Sequence, residues 1–395
     1  MNRSAGKGPL AGVRVVELAG IGPAPFCCML LADMGADVIR VDRTAPADIG
    51  VPSDPRFQFL NRGRRSLALD LKKPEALTIV RNLIKGADAL IEGFRPGVTE
   101  RMGLGPDDCF ALQPSLVYGR MTGWGQDGPL AQVAGHDVNY IAITGALDMI
   151  GERGGPPVPP LNFVGDFGGG AMYLAFGVAC ALLEARASGK GQVVDAAIVD
   201  GTAHLLTSAF GMMARNDWSR ERGVNLLAGG RPWYGVYRTK DEQYITLGAV
   251  EDRFFAEMIQ RLGLPADWSK RRHDPANWPE LAASLAAAIA TRTRDECTAL
   301  LDGTDACYAP VLNVDEAQRH PHLVARGVFV ENDGVVQPAP APRFSRSAPQ
   351  LSLPPPVPGE HSRAVLGEMG YSAEDIERLI AAGVTVSVDR EGAPA

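Results

Sequence analysis

The chain reads as an α/β protein: a large domain with a mostly parallel, doubly wound sheet, followed by a smaller α+β domain. Three observations predict this. Short β-branched runs alternate with apolar-periodic helical stretches from Val13 to Arg120, beginning with a β-α-β unit. The pattern changes near Gly229, where two short strands flank a turn at residues 240–242. Finally, 395 residues exceed what one ordinary hydrophobic core holds, so two domains are expected.

In chain order, residues 13–18 predict a first strand, 25–34 an apolar helix after a Gly/Pro turn, and 37–41 a second strand. A helix over 74–85, a strand over 87–91, a short helix over 107–112 and a strand over 116–120 repeat the theme. A small-residue helix follows at 171–187, a strand at 192–196 and a helical region at 204–215. The smaller domain takes strands at 235–238 and 244–247 and helices at 253–262, 280–291 and 294–301. Residues 337–358 are dense in proline and predict an extended strap. A helix over 372–382 ends at Gly383, a C-terminal cap, and residues 384–395 read as a frayed terminus.

A net charge of −7 argues against a nucleic-acid binder that works by bulk charge, so any anion site must be local. The six cysteines include no C-x-x-C and suit reduced thiols and a cytoplasmic location. Residues 1–8 lack an apolar h-region, and no uninterrupted apolar run reaches about 18 residues, so neither a signal peptide nor a membrane span is expected. His320 and His322 have no nearby acidic or cysteine partner and no H-E-x-x-H is present, so no metal is expected. No G-x-S-x-G elbow occurs.

The chemistry concentrates between Gly135 and Gly170. Gly-His-Asp-Val-Asn-Tyr opens this stretch and Val-Gly-Asp-Phe-Gly-Gly-Gly closes it, setting His136 and Asp166 at the ends of an apolar, Gly/Pro-rich connection. Imidazole and carboxylate are readily tuned to move a proton near neutral pH, and glycines around Asp166 let a ligand approach backbone N–H groups. The same residues also suit a satisfied core histidine and an aspartate capping a helix from about Ala171. In principle the Asp166 carboxylate can also attack an activated acyl group.

Arginines cluster near predicted strand ends: Arg40 and Arg43 after the second, Arg62, Arg64 and Arg65 in the next loop, Arg95 and Arg101 after the third. Guanidinium groups at the carboxyl ends of parallel strands suit a phosphate-rich ligand, although any single one of them also suits a solvated face. Gly20-Ile21-Gly22 with Asp42 begins like a dinucleotide fingerprint, but Pro25 stands where a small residue is wanted.

Four separated motifs then agree in order: Gly-Ala-Asp-Val-Ile-Arg-Val-Asp (35–42), Arg-Ser-Leu-Ala-Leu-Asp-Leu-Lys (65–72), Phe-Arg-Pro-Gly-Val with Glu-Arg-Met-Gly-Leu-Gly (94–105), and Thr-Gly-Trp-Gly-Gln-Asp-Gly-Pro (122–129). Together they resemble the family III CoA-transferases, and the likeness runs on through 191–201 and 359–383. Residues 135–140 and 164–170 resemble the α-methylacyl-CoA racemase branch.

The resemblance implies a Rossmann-like large domain built from both chain ends, in an interlocked homodimer whose active site lies between subunits. It places the first part of the large domain at 1–200, a helical linker at 201–228, the small domain at 229–330, the return strap at 331–358 and the completing segment at 359–395. It implies His136 and Asp166 as the two catalytic bases, with Glu251 supporting the histidine; Asp252 departs from the proline expected after that glutamate. Arg40, Phe94, Arg95, Arg101 and Met102 match CoA-binding positions, and Tyr140 and Gly165 the substrate pocket. The substrate would be an acyl-CoA thioester with no separate cofactor, nucleic acid or membrane partner. The same aspartate position serves a CoA-transferase, in which Asp166 would be the nucleophile. A CoA-binding homologue without catalysis is a third possibility.

Overall fold

The computed structural model describes residues 7–45 and 54–390. They fall into two units, one drawn from 1–144, 161–205 and 329–395, the other from 145–160 and 206–328. The expected 201–228 linker is therefore divided: helix Ile198–Leu205 belongs to the first unit and helix Thr207–Ala214 to the second. Residues 145–160 also fall in the second unit, not in the large domain. Arg153 pairs with Glu221 at 2.8 Å, and Arg222 donates to the Asp148 and Gly155 carbonyls. These are ties across about 70 residues, beyond the reach of a local sequence pattern.

Six strands of the first unit run in chain order as β1 (Arg14–Leu18), β2 (Asp37–Asp42), β3 (Arg64–Leu69), β4 (Ala89–Glu92), β5 (Val117–Thr122) and β6 (Gln192–Ala197). The second unit contributes β7 (Tyr234–Arg238), β8 (Tyr244–Gly248) and β9 (Tyr308–Pro310); the chain then returns through β10 (Phe329–Asn332), β11 (Val335–Pro338) and β12 (Thr385–Val386). The large sheet has the order β12-β3-β2-β1-β4-β5-β6, with β1 to β6 parallel and β12 antiparallel on β3. The strand order reverses between β1 and β4. Beyond the carboxyl ends of those two strands lies the crevice where open α/β sheets take ligands.

Burial on both faces explains the β-branched runs. Val15 and Val16 are consecutive and wholly buried, yet belong to opposite cores. Helices Pro23–Asp33 and Met172–Ser188 cover the Val15 side; helices Pro74–Ile84, Pro106–Leu112, Ser362–Glu368 and Ala373–Ala381 cover the other.

Two expectations change here. Arg64 and Arg65 lie in β3 rather than a loop, and Arg64 is fully buried with its Nε 2.6 Å from Glu17. Residues 384–390 are not frayed: Val384 and Thr385 are buried, and the Thr385 hydroxyl donates to the Ala68 carbonyl at 2.7 Å. An edge strand without a partner is an open row of hydrogen-bonding groups, and the terminal segment covers the one on β3. Residues 391–395, with residues 1–6 of the N-terminal stretch, lie outside the described residues.

Residues Phe163–Ser188 form one continuous helical run of 26 residues, long and apolar enough by length and composition to cross a membrane. Its first nine residues, Phe163–Ala171, are wound as a π-helix. Leu174, Val178, Ala181, Leu182 and Ala185 bury one side in the core, while Phe163, Met172, Phe176 and Leu183 are exposed.

In the second unit β7, β8 and β9 make an antiparallel sheet, of which β9 had no sequence signal. Helices Asp252–Leu262, Trp278–Ala290 and Arg294–Leu301 pack on it through Phe255, Met258, Leu281, Leu285 and Leu301.

Candidate active site

Asp166 sits inside the π-helical turn, not at a helix cap. A π-turn closes hydrogen bonds one residue later than an α-turn and is frequent at functional sites; here Phe167 N–H donates to the Asn162 carbonyl at 3.2 Å. Glycine makes this winding possible against its neighbours. A Cβ on Gly169 would stand 2.7 Å from the Thr202 nitrogen, and one on Gly201 would collide with the Gly169 carbonyl, so the two helical segments cross backbone to backbone. Phe167 stacks on Phe26 with ring centroids 4.3 Å apart. Gly22, in the turn after β1 at φ 67°, faces the carboxylate: a Cβ there would lie 3.3 Å from Asp166 Oδ2. Asp166 is thus held at the carboxyl end of β1.

His136 precedes helix Asp137–Ile143, an element with no sequence expectation, and its backbone N–H donates to Asn139 Oδ1 at 3.0 Å. Its ring is exposed and makes no hydrogen bond among the described residues. The histidine and aspartate do come together, close enough for their charges to interact. Burial pushes the Asp166 carboxyl up to about 6, the negative charge of Asp137 pushes the same way, and the Asn162 hydrogen bond and His136 oppose them.

Asp137 is the residue that sequence reasoning passed over. Its Oδ1 accepts the Asp166 N–H at 2.6 Å, and its own pKa is raised by burial against amide bonds from Asp166 and Gly165. The glycines around Asp166 are expected to open backbone N–H groups to a ligand, and Asp137 occupies this one. The available signal was an acidic residue directly after the histidine, at a helix start. Gly165 is buried, with Asp137 Oδ1 only 2.3 Å from where its Cβ would be; the glycine is what lets the carboxylate reach the turn. Tyr140 is buried edge-on against Trp124 at 4.6 Å, donates to the Gly135 carbonyl, and has its pKa raised by burial and by the nearby Asp166 charge. Leu147, Met149 and Ile150 lie in the second unit.

The arginines separate into two populations. Arg40 is buried in β2, bound to Glu17 and, at 2.9 Å, to Asp42, and reaches the Gly20 carbonyl at 3.3 Å. Arg62 pairs with Asp33 at 2.6 Å, and Arg65 with Asp37 at 2.9 Å and Glu368 at 2.8 Å. Beyond β4 the situation reverses. Arg95 and Arg101 are exposed and make no ion pair among the described residues. Arg101 lies over Gly97, whose Cβ would be 3.3 Å from Nη1. Phe94 and Met102 pack half-buried on the core below, and the Phe94 N–H is fixed by the buried Glu92 carboxylate at 2.7 Å.

Glu251 is exposed on the second unit, directly before helix Asp252–Leu262, with extended backbone (φ −74°, ψ 147°). Asp252 opens that helix and pairs with Arg272 at 2.7 Å. Among the described residues no three His, Cys, Asp or Glu side chains gather as a metal site.

The profile of CoA-transferase family III matches residues 10–362. The chain is 43% identical to the α-methylacyl-CoA racemase of Mus musculus over 373 residues, covering 94% of this chain and 96% of the relative. It is 41% identical to that of Homo sapiens over the same length, with the same coverage. A crystal structure of a CaiB/BaiF family protein from Brucella suis superposes with a TM-score of 0.79 at 28% identity, over 92% of this chain and all of that one.

Proposed function

This chain belongs to CoA-transferase family III, and from that premise we propose that it is an α-methylacyl-CoA racemase, an isomerase that inverts the α-carbon of 2-methyl-branched acyl-CoA thioesters. The observation that carries the reading is His136 within electrostatic reach of an aspartate whose pKa is pushed up to about 6. Racemisation needs a base on one face of the α-carbon and an acid on the other, each able to change role with direction. Near neutral pH a carboxyl titrating at about 6 and an imidazole meet that requirement. One group takes the α-proton, its electron pair passes into the thioester carbonyl as an enolate, and the other group returns a proton to the opposite face. CoA is part of the substrate, and the residues perform this step without a further cofactor.

The enolate oxygen needs donors. With the Asp166 N–H engaged by Asp137 and the Asn139 N–H by the His136 carbonyl at 2.8 Å, the amides of Asp137 and Val138 take that role. Arg95 and Arg101 bind the CoA phosphates, Phe94 and Met102 support the nucleotide, Tyr140 borders the acyl site, and Arg40 shapes the first turn through Gly20. Glu251 is given the part of supporting the catalytic histidine, the role that the family resemblance implies. The protein works as a homodimer with the site shared between subunits; the exposed Phe163, Met172, Phe176 and Leu183 supply an apolar face suited to such an interface.

A single epimer of a 2-methylacyl-CoA incubated in deuterated water tests this. Deuterium at the α-carbon together with the opposite epimer is the expected result. No α-exchange, with CoA passed between carboxylic acids instead, would assign Asp166 the nucleophile's role.

A further inference from the structure

We infer that Arg272 is a positioning residue for Glu251, a role that rests on the reading of Glu251 as the support of the catalytic histidine. Strand β8 ends at Gly248, so the carbonyls of Ala249 and Val250 have left the ladder and need donors from elsewhere. Arg272 provides them. Its Nη1 donates to the Ala249 carbonyl at 3.2 Å and its Nη2 to the Val250 carbonyl at 2.7 Å, while the same Nη2 binds Asp252 Oδ1 at 2.7 Å. One guanidinium therefore grips the backbone immediately before Glu251 and the side chain immediately after it.

The guanidinium is itself immobilised. Arg272 is 5% exposed, and its charged carbon lies 4.4 Å from the Phe255 ring centroid and 4.8 Å from that of Trp233. Desolvated cation–π contacts of this kind suit the flat, weakly hydrated guanidinium. Lysine keeps the charge but has neither the planar fork nor the stacking face, so it cannot hold two carbonyls and a carboxylate in one plane. The remaining ties on the loop are the Gly248 N–H to the Cys307 carbonyl at 2.9 Å, the Val250 N–H to the Gly248 carbonyl at 2.9 Å, the Phe255 N–H to the Glu251 carbonyl at 3.0 Å and His273 Nε2 to Asp252 Oδ1 at 3.3 Å. Of these, the Val250 bond alone touches residues 249 and 250, and it leaves both of their carbonyls to Arg272. The geometry thus links a stacked arginine on the helix Trp268–Arg271 border to the direction in which Glu251 leaves its loop.

Racemisation kinetics of Glu251→Gln, Arg272→Lys and the double variant decide the matter, with thermal unfolding recorded for each. Displacing a supporting group by about 1 Å costs on the order of 10²-fold. Arg272→Lys should therefore lose 10- to 100-fold in kcat, with KM within about two-fold. The double variant should be no slower than Glu251→Gln alone, because the arginine acts through that carboxylate. Wild-type kcat in Arg272→Lys beside a slow Glu251→Gln would overturn the inference, as would losses that multiply in the double variant. A fast Glu251→Gln would instead defeat the reading of Glu251, whatever Arg272 does.

If Arg272→Lys does not fold, Asp252→Ala and Asp252→Pro replace it. Glu251 has the extended ψ that a following proline demands, and Asp252 is the first helical residue, where proline is tolerated. Asp252→Ala should lose several-fold in kcat and Asp252→Pro should recover most of it. An alanine variant as fast as wild type would count against the inference.

Discussion

Asp166 and His136 face the same chemistry from opposite conditions. Asp166 is wound into a π-turn, buried, held through its amide by Asp137 and raised to about 6. His136 is exposed, with no hydrogen bond to its ring among the described residues. The same contrast separates Arg40, enclosed by Glu17 and Asp42, from Arg101, open on the far side of the switch point. The difference teaches that one half of the site is pre-set by the chain's own packing. The other half consists of groups left unsatisfied, available to a ligand or a neighbouring subunit.

The sharpest break of this comparison is catalytic. His136→Ala and Asp166→Asn should each lose about 10²- to 10⁴-fold in racemisation, since each group serves as base one way and acid the other. Single-epimer washout in deuterated water should survive with opposite epimer preference in the two variants. Normal racemisation by His136→Ala would reduce the histidine to a surface residue.

The arginines should respond in different observables. Arg101→Ala should raise KM for the CoA ester by roughly 10- to 100-fold, the equivalent of about 1.5–3 kcal/mol for a charge-assisted phosphate bond, with unfolding unchanged. Arg40→Ala should instead lose about 3–5 kcal/mol of stability, because Asp42 would lose its buried ion pair and Glu17 would keep Arg64 but lose its second guanidinium. If urea denaturation finds Arg40→Ala as stable as the wild type and only KM moves, the division into two populations fails.

A subtler effect is on pH. Exchange of the epimer presented to Asp166 should rise as pH passes about 6, and Asp137→Asn should move that midpoint downward by removing a repelling charge. An unmoved midpoint in the pH profile would mean that burial alone sets it.

The smallest effect is on stability. Because the folded pKa of Asp166 lies above the ordinary value of 3.8, its contribution is fully present below about 3.8 and is lost as pH rises through about 6. Asp166→Asn should therefore melt higher than the wild type at pH 8, and the advantage should vanish toward pH 4. An equal difference at both pH values would point to hydrogen bonding instead of charge.

By itself the sequence determined the α/β class, the family and the strands β1, β2, β4, β5 and β6, and it singled out His136 and Asp166, which lie within electrostatic reach of one another, because periodicity and motif order are local properties of the chain. It could not tell Arg40 from Arg101. Both are arginines near a strand end, and whether a guanidinium is bound to a buried carboxylate depends on Glu17 lying opposite Arg40 on the neighbouring strand β1, beside Asp42 of its own strand. Strand β12, the place of residues 145–160 and the part of Asp137 were hidden for the same reason: each depends on partners distant in sequence, Ala68, Arg222 and Asp166 among them. The π-turn is of the same kind, since the glycines that permit it are visible in the chain but the Gly169–Gly201 crossing that uses them is not. Tertiary structure decided which polar groups were already satisfied, because burial and charge pairing are set by what surrounds a side chain rather than by its neighbours in sequence.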